Sequence, residues 1–194
     1  MTGDPLAGSV TASVIVQLVE TLVAIVPILL LTKAFGFRLS SVYAQRGRLR
    51  GLFIVAIGVF VLLLVFTARH DSSFFMTNPS SSQTSFLALA PALLVMVVSN
   101  GFQEEFLFRA LFLQRYSNFF SAPVSIILTA TVFGYAHLGV TYTPSALIFI
   151  LVAVFPLGLA TAYMMHKTNG VLTPAILHSG FDLPIYWAFL TYVA

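Results

Sequence analysis

Six long apolar stretches constrain the fold of this chain more than any other feature. They cover residues 9–32, 51–68, 86–114, 122–140, 144–166 and 171–193. Each is close to the length that a helix needs to cross the hydrocarbon core of a bilayer. Of the 194 residues, 59% are hydrophobic and 8% are charged, whereas soluble domains carry about 25% charged residues. The sequence therefore predicts an all-α, polytopic membrane helix bundle with about six transmembrane helices.

The distribution of basic residues predicts how the bundle lies in the membrane. The segment 33–50 carries five basic side chains, whereas the segment 69–85 is rich in Ser, Thr and Asn. The positive-inside rule places the first segment in the cytoplasm. Threading the remaining stretches alternately puts Arg115 and Lys167 on that same side. We therefore expect both termini to lie outside.

Glu104, Glu105 and Arg109 lie inside the third apolar stretch, where charged side chains are unfavourable. One such side chain at the centre of a membrane helix costs about 2.5–3.5 kcal/mol, so the three should face the protein interior. Glu105 and Arg109 stand four residues apart and can form an ion pair on one helix face. Glu104 points about 100° away and is available as a general base. The alternative is a single ion-pair network that holds helices together.

Two histidines lie in later apolar stretches. His178 and Asp182 stand four residues apart, so the carboxylate can orient the imidazole, as catalytic and metal-binding histidines require. A hydrogen bond between helices is the alternative for this pair. A lone histidine such as His137, near a stretch end, is more often a boundary residue. Straight helices would separate His137 and His178 in depth by about 12 Å, so tilt, kinks or a longer third helix must close that gap.

The residue types limit the possible chemistry. The chain has no cysteine, which excludes disulfides, thiolate catalysis and cysteine-ligated metals. No serine elbow or serine–lysine pairing stands out, so we expect water, activated by Glu104, as the nucleophile. Glu104, His137 and His178 are candidate ligands for a divalent metal such as zinc, although the H-E-x-x-H spacing is missing. The cofactor requirement stays open, and we favour a metal-independent mechanism.

Two other polar features accompany these residues. Gln17 and Glu20 lie three residues apart in the first apolar stretch, and we expect both to form hydrogen bonds between helices. Asn100 and Gly101 come just before the glutamates and are candidates for opening the helix backbone to substrate or water.

The polar motifs resemble those of a known family. The pattern E-E-x-x-x-R, then F-x-x-x-H, then H-x-x-x-D, with the surrounding segments 104–114 and 168–178, is similar to the CAAX protease and bacteriocin-processing (CPBP, Abi) family of intramembrane endopeptidases. The resemblance covers residues 86–190. It implies a peptide-bond hydrolase in which the first glutamate and the first histidine activate water. The implied catalytic residues are Glu104, His137, His178 and Asp182, and the implied supporting residues are Glu105 and Arg109.

One position departs from the family pattern. Asp182 stands where many members carry asparagine. In the family the last histidine and this residue stabilise the oxyanion or complete the water site. An ionised carboxylate cannot donate a hydrogen bond, so an oxyanion role for Asp182 requires that it be protonated or bonded to His178.

The sequence and the resemblance together predict the organisation and surroundings of the chain. We expect a disordered tail at 1–8, two N-terminal transmembrane helices with their loops at 9–85, and a four-helix catalytic core at 86–194. The expected partners are a membrane-associated peptide or protein substrate and the lipid bilayer, with no nucleic acid. The expected location is a prokaryotic cell membrane, and a prenylated substrate is not implied.

Two other functions compete with this interpretation. One is a catalytically silent membrane scaffold or bacteriocin-immunity protein of the same fold, which has no physical need for buried ionisable groups. The other is a small proton-coupled transporter that uses Glu104, His137 and His178 as a relay. Inverted repeats or paired broken helices would support a transporter, and the sequence has neither.

Overall fold

The residues that the structure describes, 9–48, 51–70, 85–139 and 144–194 of a computed structural model, form six helices and no strand. The predicted tail at 1–8 lies outside the described residues. Short 3₁₀ turns occur at Leu39–Val42 and His137–Gly139. The helices are α1 (Val10–Ala34), α2 (Gly51–Arg69), α3 (Phe86–Glu104, Glu105–Leu113 and Gln114–Tyr116), α4 (Ala122–Ala136), α5 (Pro144–Phe149, Ile150–Val154 and Phe155–Thr168) and α6 (Leu172–Val193).

The predicted membrane helix bundle is confirmed, although the six helices differ in length and in apolar character. Among the described residues, four helices are long and apolar enough to cross a membrane by length and composition: α1, α2, α3 and the part of α5 from Leu147 to Thr168. Helix α4 is apolar but has only 15 residues. Helix α6 has 22 residues, yet His178 and Asp182 make it less apolar than those four. The two helices that fall short are therefore those next to or carrying the predicted histidines.

Helix α6 holds the bundle together. It packs against α2 on one side and α3 on another, while α1 packs on α3 and α4 packs on α5. Leu93 and Val97 of α3 and Leu183 of α6 are completely buried at their shared interface. Because apolar burial is tightest here, α3 and α6 form the rigid platform for polar side chains that project from them.

Gly101 allows α3 to approach α6 closely. A Cβ at this position would lie 2.8 Å from the carbonyl oxygen of Ala175, and the Ser179 hydroxyl would be closer still. Helix α3 runs without a break through Asn100 and Gly101. The backbone opening considered for this dipeptide is therefore absent, and the glycine serves helix packing instead.

We expect Gly101→Ala to reduce the free energy of unfolding by about 1–3 kcal/mol, because the added methyl group would push α3 away from α6. Gly58→Ala in α2 is the matched control, since nothing lies within 4 Å of the position its Cβ would occupy. The control should be neutral or stabilise the helix by up to about 1 kcal/mol. Unfolding of both variants in detergent micelles measures the difference, and equal effects would contradict the packing role.

Candidate active site

The side chains predicted to act together do converge in space. The Glu104 Oε2 atom lies 3.8 Å from the His137 Nε2 atom and 3.7 Å from the His178 Nε2 atom. The depth difference expected for straight helices is therefore closed. Helix α3 has 31 residues from Phe86 to Tyr116, which is about 46 Å and longer than the hydrocarbon core of about 30 Å. A helix of this length tilts, and tilt changes the depth at which Glu104 meets its neighbours.

A wide helical turn carries the second glutamate and the arginine. Residues Glu105–Leu113 of α3 are π-helical, a conformation that is frequent at functional sites. Glu105 Oε1 lies 3.1 Å from Arg109 Nη1, and both side chains are completely buried. The ion pair predicted from the spacing is present.

Glu105 has a second partner that the sequence did not reveal. The His178 Nδ1 atom lies 2.8 Å from Glu105 Oε1, which is a hydrogen-bond distance. By contrast, Asp182 Oδ1 lies 3.8 Å from His178 Nε2, too far for a hydrogen bond. We expected Asp182 to orient His178, but in the structure Glu105 makes this contact with the imidazole. The physical reason is that α3 packs tightly on α6, so a cross-helix partner is closer than the residue one turn along α6.

Asn100, considered above only for opening the backbone, is a member of the site through its side chain. Its Nδ2 donates to Glu104 Oε1 at 3.2 Å and to Asp182 Oδ2 at 3.0 Å. The amide therefore holds the two carboxylates side by side and satisfies one oxygen of each. The sequence did contain one indication of this contact, because Asn100 stands four residues before Glu104 and so lies on the same face of α3.

Phe133 fills the space between the charged groups. The Arg109 guanidinium lies 4.3 Å from the centre of the Phe133 ring, an arrangement suited to a cation–π interaction. The His178 ring meets the Phe133 ring edge-on at 5.5 Å between centres. Phe133 also accepts a hydrogen bond from His137 through its backbone carbonyl. This residue, the first of the F-x-x-x-H motif, therefore contacts both histidines and the arginine.

Both histidines direct the same nitrogen at Glu104. The His137 Nδ1 atom lies 2.8 Å from the Phe133 carbonyl oxygen, and His178 Nδ1 faces Glu105. A carbonyl or an ionised carboxylate can only accept a hydrogen bond, so Nδ1 carries the proton in each ring. Each Nε2 atom therefore faces the Glu104 Oε2 atom, which has no hydrogen-bond partner among the described residues.

The exposed part of the cluster lies at Glu104 and His137. The side chains of His137 and Glu104 are 29% and 19% exposed, whereas that of His178 is 2% exposed. Solvent or a ligand therefore reaches Glu104 from the side of His137. His178 and the Glu105–Arg109 pair lie behind it in the protein.

A chain of hydrogen bonds links the first helix to this cluster. Tyr186, one turn beyond Asp182 on α6, donates to Gln17 Oε1 at 2.9 Å. Gln17 Nε2 donates to Gln103 Oε1 at 3.0 Å, next to Glu104 on α3. The expected interhelical bonding is confirmed for Gln17. It is wrong for Glu20, which is exposed and has no hydrogen-bond partner among the residues described.

The donor set does not fit a metal ion in this arrangement. Within the described part of the chain, no three His, Asp or Glu side chains are placed to hold one. The three candidate ligands, Glu104, His137 and His178, do face one another, but Glu104 Oε2 lies 3.8 Å and 3.7 Å from the two Nε2 atoms, farther than the separation of about 3.4 Å between ligand atoms of a tetrahedral zinc site.

Comparison with known proteins gives one match. The family model described as type II CAAX prenyl endopeptidase Rce1-like matches residues 86–184, just over half of the chain. The matched region begins at the start of α3 and includes every catalytic and supporting residue predicted from the sequence. No curated protein and no solved structure matches the chain.

Proposed function

Because the chain belongs to the Rce1-like family of type II CAAX prenyl endopeptidases, we propose that it is an intramembrane endopeptidase whose attacking water is activated by Glu104 and His137. The observation that carries the proposal is the convergence of the unpartnered Glu104 Oε2 atom with two imidazole Nε2 atoms at one open-sided cluster. Two of these atoms, Glu104 Oε2 and His137 Nε2, are acceptors with no donor between them. A water molecule supplies two O–H groups to such a set.

In the first step, water donates one O–H to Glu104 and the other to His137 Nε2. Glu104 takes the proton as the water oxygen bonds to the carbonyl carbon of the substrate. Asn100 holds the second oxygen of Glu104, which keeps Oε2 directed at the water. The product of this step is a tetrahedral intermediate with a negatively charged oxygen.

His178 is the residue that stabilises this oxyanion. Three carboxylates and one guanidinium surround it, so a second proton on His178 lowers the net negative charge of the buried cluster. In that form Nδ1 donates to Glu105 and Nε2 is free to donate to the oxyanion. Asp182, held by Asn100, acts as a positioning residue beside the imidazole rather than as the oxyanion donor.

In the last step, the intermediate collapses and the peptide C–N bond breaks. Glu104 returns its proton to the leaving amine nitrogen, so that it acts as base and then as acid. The products are a new carboxyl terminus and a new amino terminus, and Glu104 is again a carboxylate. One water molecule and one peptide bond are consumed, and the side chains of the protein return to their starting state.

The reaction needs no metal in this proposal. We expect purified protein to contain less than about 0.1 zinc ion per chain and to keep its cleavage rate after treatment with a chelator, since Glu104 takes the proton of water directly. Elemental analysis and peptide cleavage before and after chelation measure this. Stoichiometric zinc together with cleavage that the chelator abolishes would overturn the metal-independent mechanism.

The activity itself is tested by comparing membrane peptides in cells that carry the native protein or Glu104→Gln. The proposal expects one or more membrane-associated peptides to be shortened only with the native protein, and their new termini identify the scissile bond. Identical peptide sets would instead favour the catalytically silent scaffold or immunity protein. A prokaryotic cell membrane and external termini stay predictions of the sequence.

A further inference from the structure

Glu20 is the one acidic side chain of α1, and the described contacts do not explain it. It lies ten residues after Val10, about 15 Å along the helix and near its middle. The side chain is exposed and has no hydrogen-bond or ion-pair partner among the described residues. Val16, Val19 and Val23 around it are also exposed, as lipid-facing residues are. An unpaired carboxylate at this depth costs about 2.5–3.5 kcal/mol, so a counter-charge or water is expected there.

The position of Glu20 is beside the catalytic cluster. Gln17, one turn earlier on α1, is buried and is bonded to Tyr186 of α6 and Gln103 of α3. Gln17 and Thr21, on either side of Glu20, both lie within hydrogen-bond distance of Gln103, the residue before Glu104, so Glu20 lies at the level of the cluster on a helix outside the matched residues.

Within the described ranges, no basic side chain is available to pair with Glu20. Arg109 is completely buried and paired with Glu105, so its charge is not available at the open side. The other basic side chains in the described ranges lie in loops or in the last turns of helices. None of these described cations is placed to neutralise Glu20 at the middle of α1, so a cation of another molecule can pair with it.

We propose that Glu20 binds a lysine or arginine side chain of the peptide substrate and so determines which membrane peptides enter the site. This inference rests on the proposed endopeptidase function and names its substrate class. In the low-dielectric surroundings of a membrane helix, the ion pair compensates the unfavourable burial of both charges. A peptide that lacks the basic residue leaves Glu20 unpaired and is bound less tightly, which is how specificity arises.

The test uses model peptides and the inert Glu104→Gln protein in lipid nanodiscs. The peptides are apolar and about 20 residues long, identical except that a single lysine, leucine or glutamate stands at each position in turn. We expect a lysine-bearing peptide to bind about 10-fold or more tightly than its leucine counterpart, as close charge pairs at interfaces do. Adding Glu20→Gln should remove this preference, and Glu20→Lys should transfer it to the glutamate-bearing peptide. Val23→Gln, an amide at a neighbouring exposed position, should leave the lysine preference intact.

Two outcomes overturn the inference. One is an absence of lysine preference in the protein with native Glu20, and the other is a preference that survives Glu20→Gln. Cleavage by the otherwise native protein separates this failure from failure of the proposed function. Suppose that Glu20→Gln cleaves lysine and leucine peptides in the native ratio, whereas Glu104→Gln cleaves neither. The endopeptidase function is then supported, and the proposed role of Glu20 is contradicted.

Discussion

Glu104→Gln is expected to lower the rate of peptide cleavage by about 10³-fold, within the range that a general base contributes to catalysis. The amide has nearly the shape of the carboxylate and can still contact Asn100, so packing of α3 on α6 should be preserved. It cannot take a proton from water. Loss of activity with an unchanged unfolding transition therefore assigns Glu104 to the chemical step rather than to the fold.

The matched control is Asn118→Asp, which exchanges an amide and a carboxylate of similar shape on an exposed turn after α3. Its cleavage rate should equal that of the native protein. The rates are measured on a fluorogenic membrane peptide with the protein reconstituted in liposomes. A Glu104→Gln protein that retains more than about a tenth of the native rate would exclude the general-base role, because such a role accounts for at least 10²-fold.

The sequence predicted the members of the cluster better than their contacts. Glu104 and His178 could be selected because ionisable side chains in apolar stretches are too unfavourable to be accidental, whereas His137 was selected through the resemblance to the family. The spacing of Glu105 and Arg109 also predicted their ion pair, since neighbours on one helix face need no knowledge of other helices. The membrane helix bundle could likewise be predicted from the lengths of the apolar stretches.

Contacts between different helices could not be predicted from local spacing. Glu105, rather than Asp182, bonds to His178, because Gly101 lets α3 and α6 approach closely. Asn100 holds Glu104 and Asp182 together across the same interface. The π-helical turn at Glu105–Leu113 has no signal in an apolar stretch, since periodicity does not distinguish it from a continuous α-helix. Each of these features depends on how two helices pack, which one helix pattern cannot specify.

We expect the supporting pair, Glu105 and Arg109, to affect mainly the stability of the fold, whereas Glu104 affects mainly the activity. Arg109→Met is expected to reduce the free energy of unfolding by about 3–5 kcal/mol, the range for breaking one side of a buried ion pair. Arg109 is completely buried beside Glu105, so its loss leaves the Glu105 carboxylate uncompensated. The lost contact between the guanidinium and the Phe133 ring adds to the effect. Unfolding in detergent micelles, followed by helical content, measures the change.

Neutralising both partners separates a charge effect from a packing effect. In Glu105→Gln/Arg109→Met the uncompensated charge is gone, and a side-chain oxygen remains to accept from His178. The double variant should therefore be more stable than Arg109→Met alone by about 1–3 kcal/mol, although two residues are changed instead of one. A double variant no more stable than Arg109→Met would show that Arg109 acts through its volume and not its charge. A recovery of stability without a recovery of cleavage would place the pair where the structure suggests, behind His178 and one contact away from the reacting water.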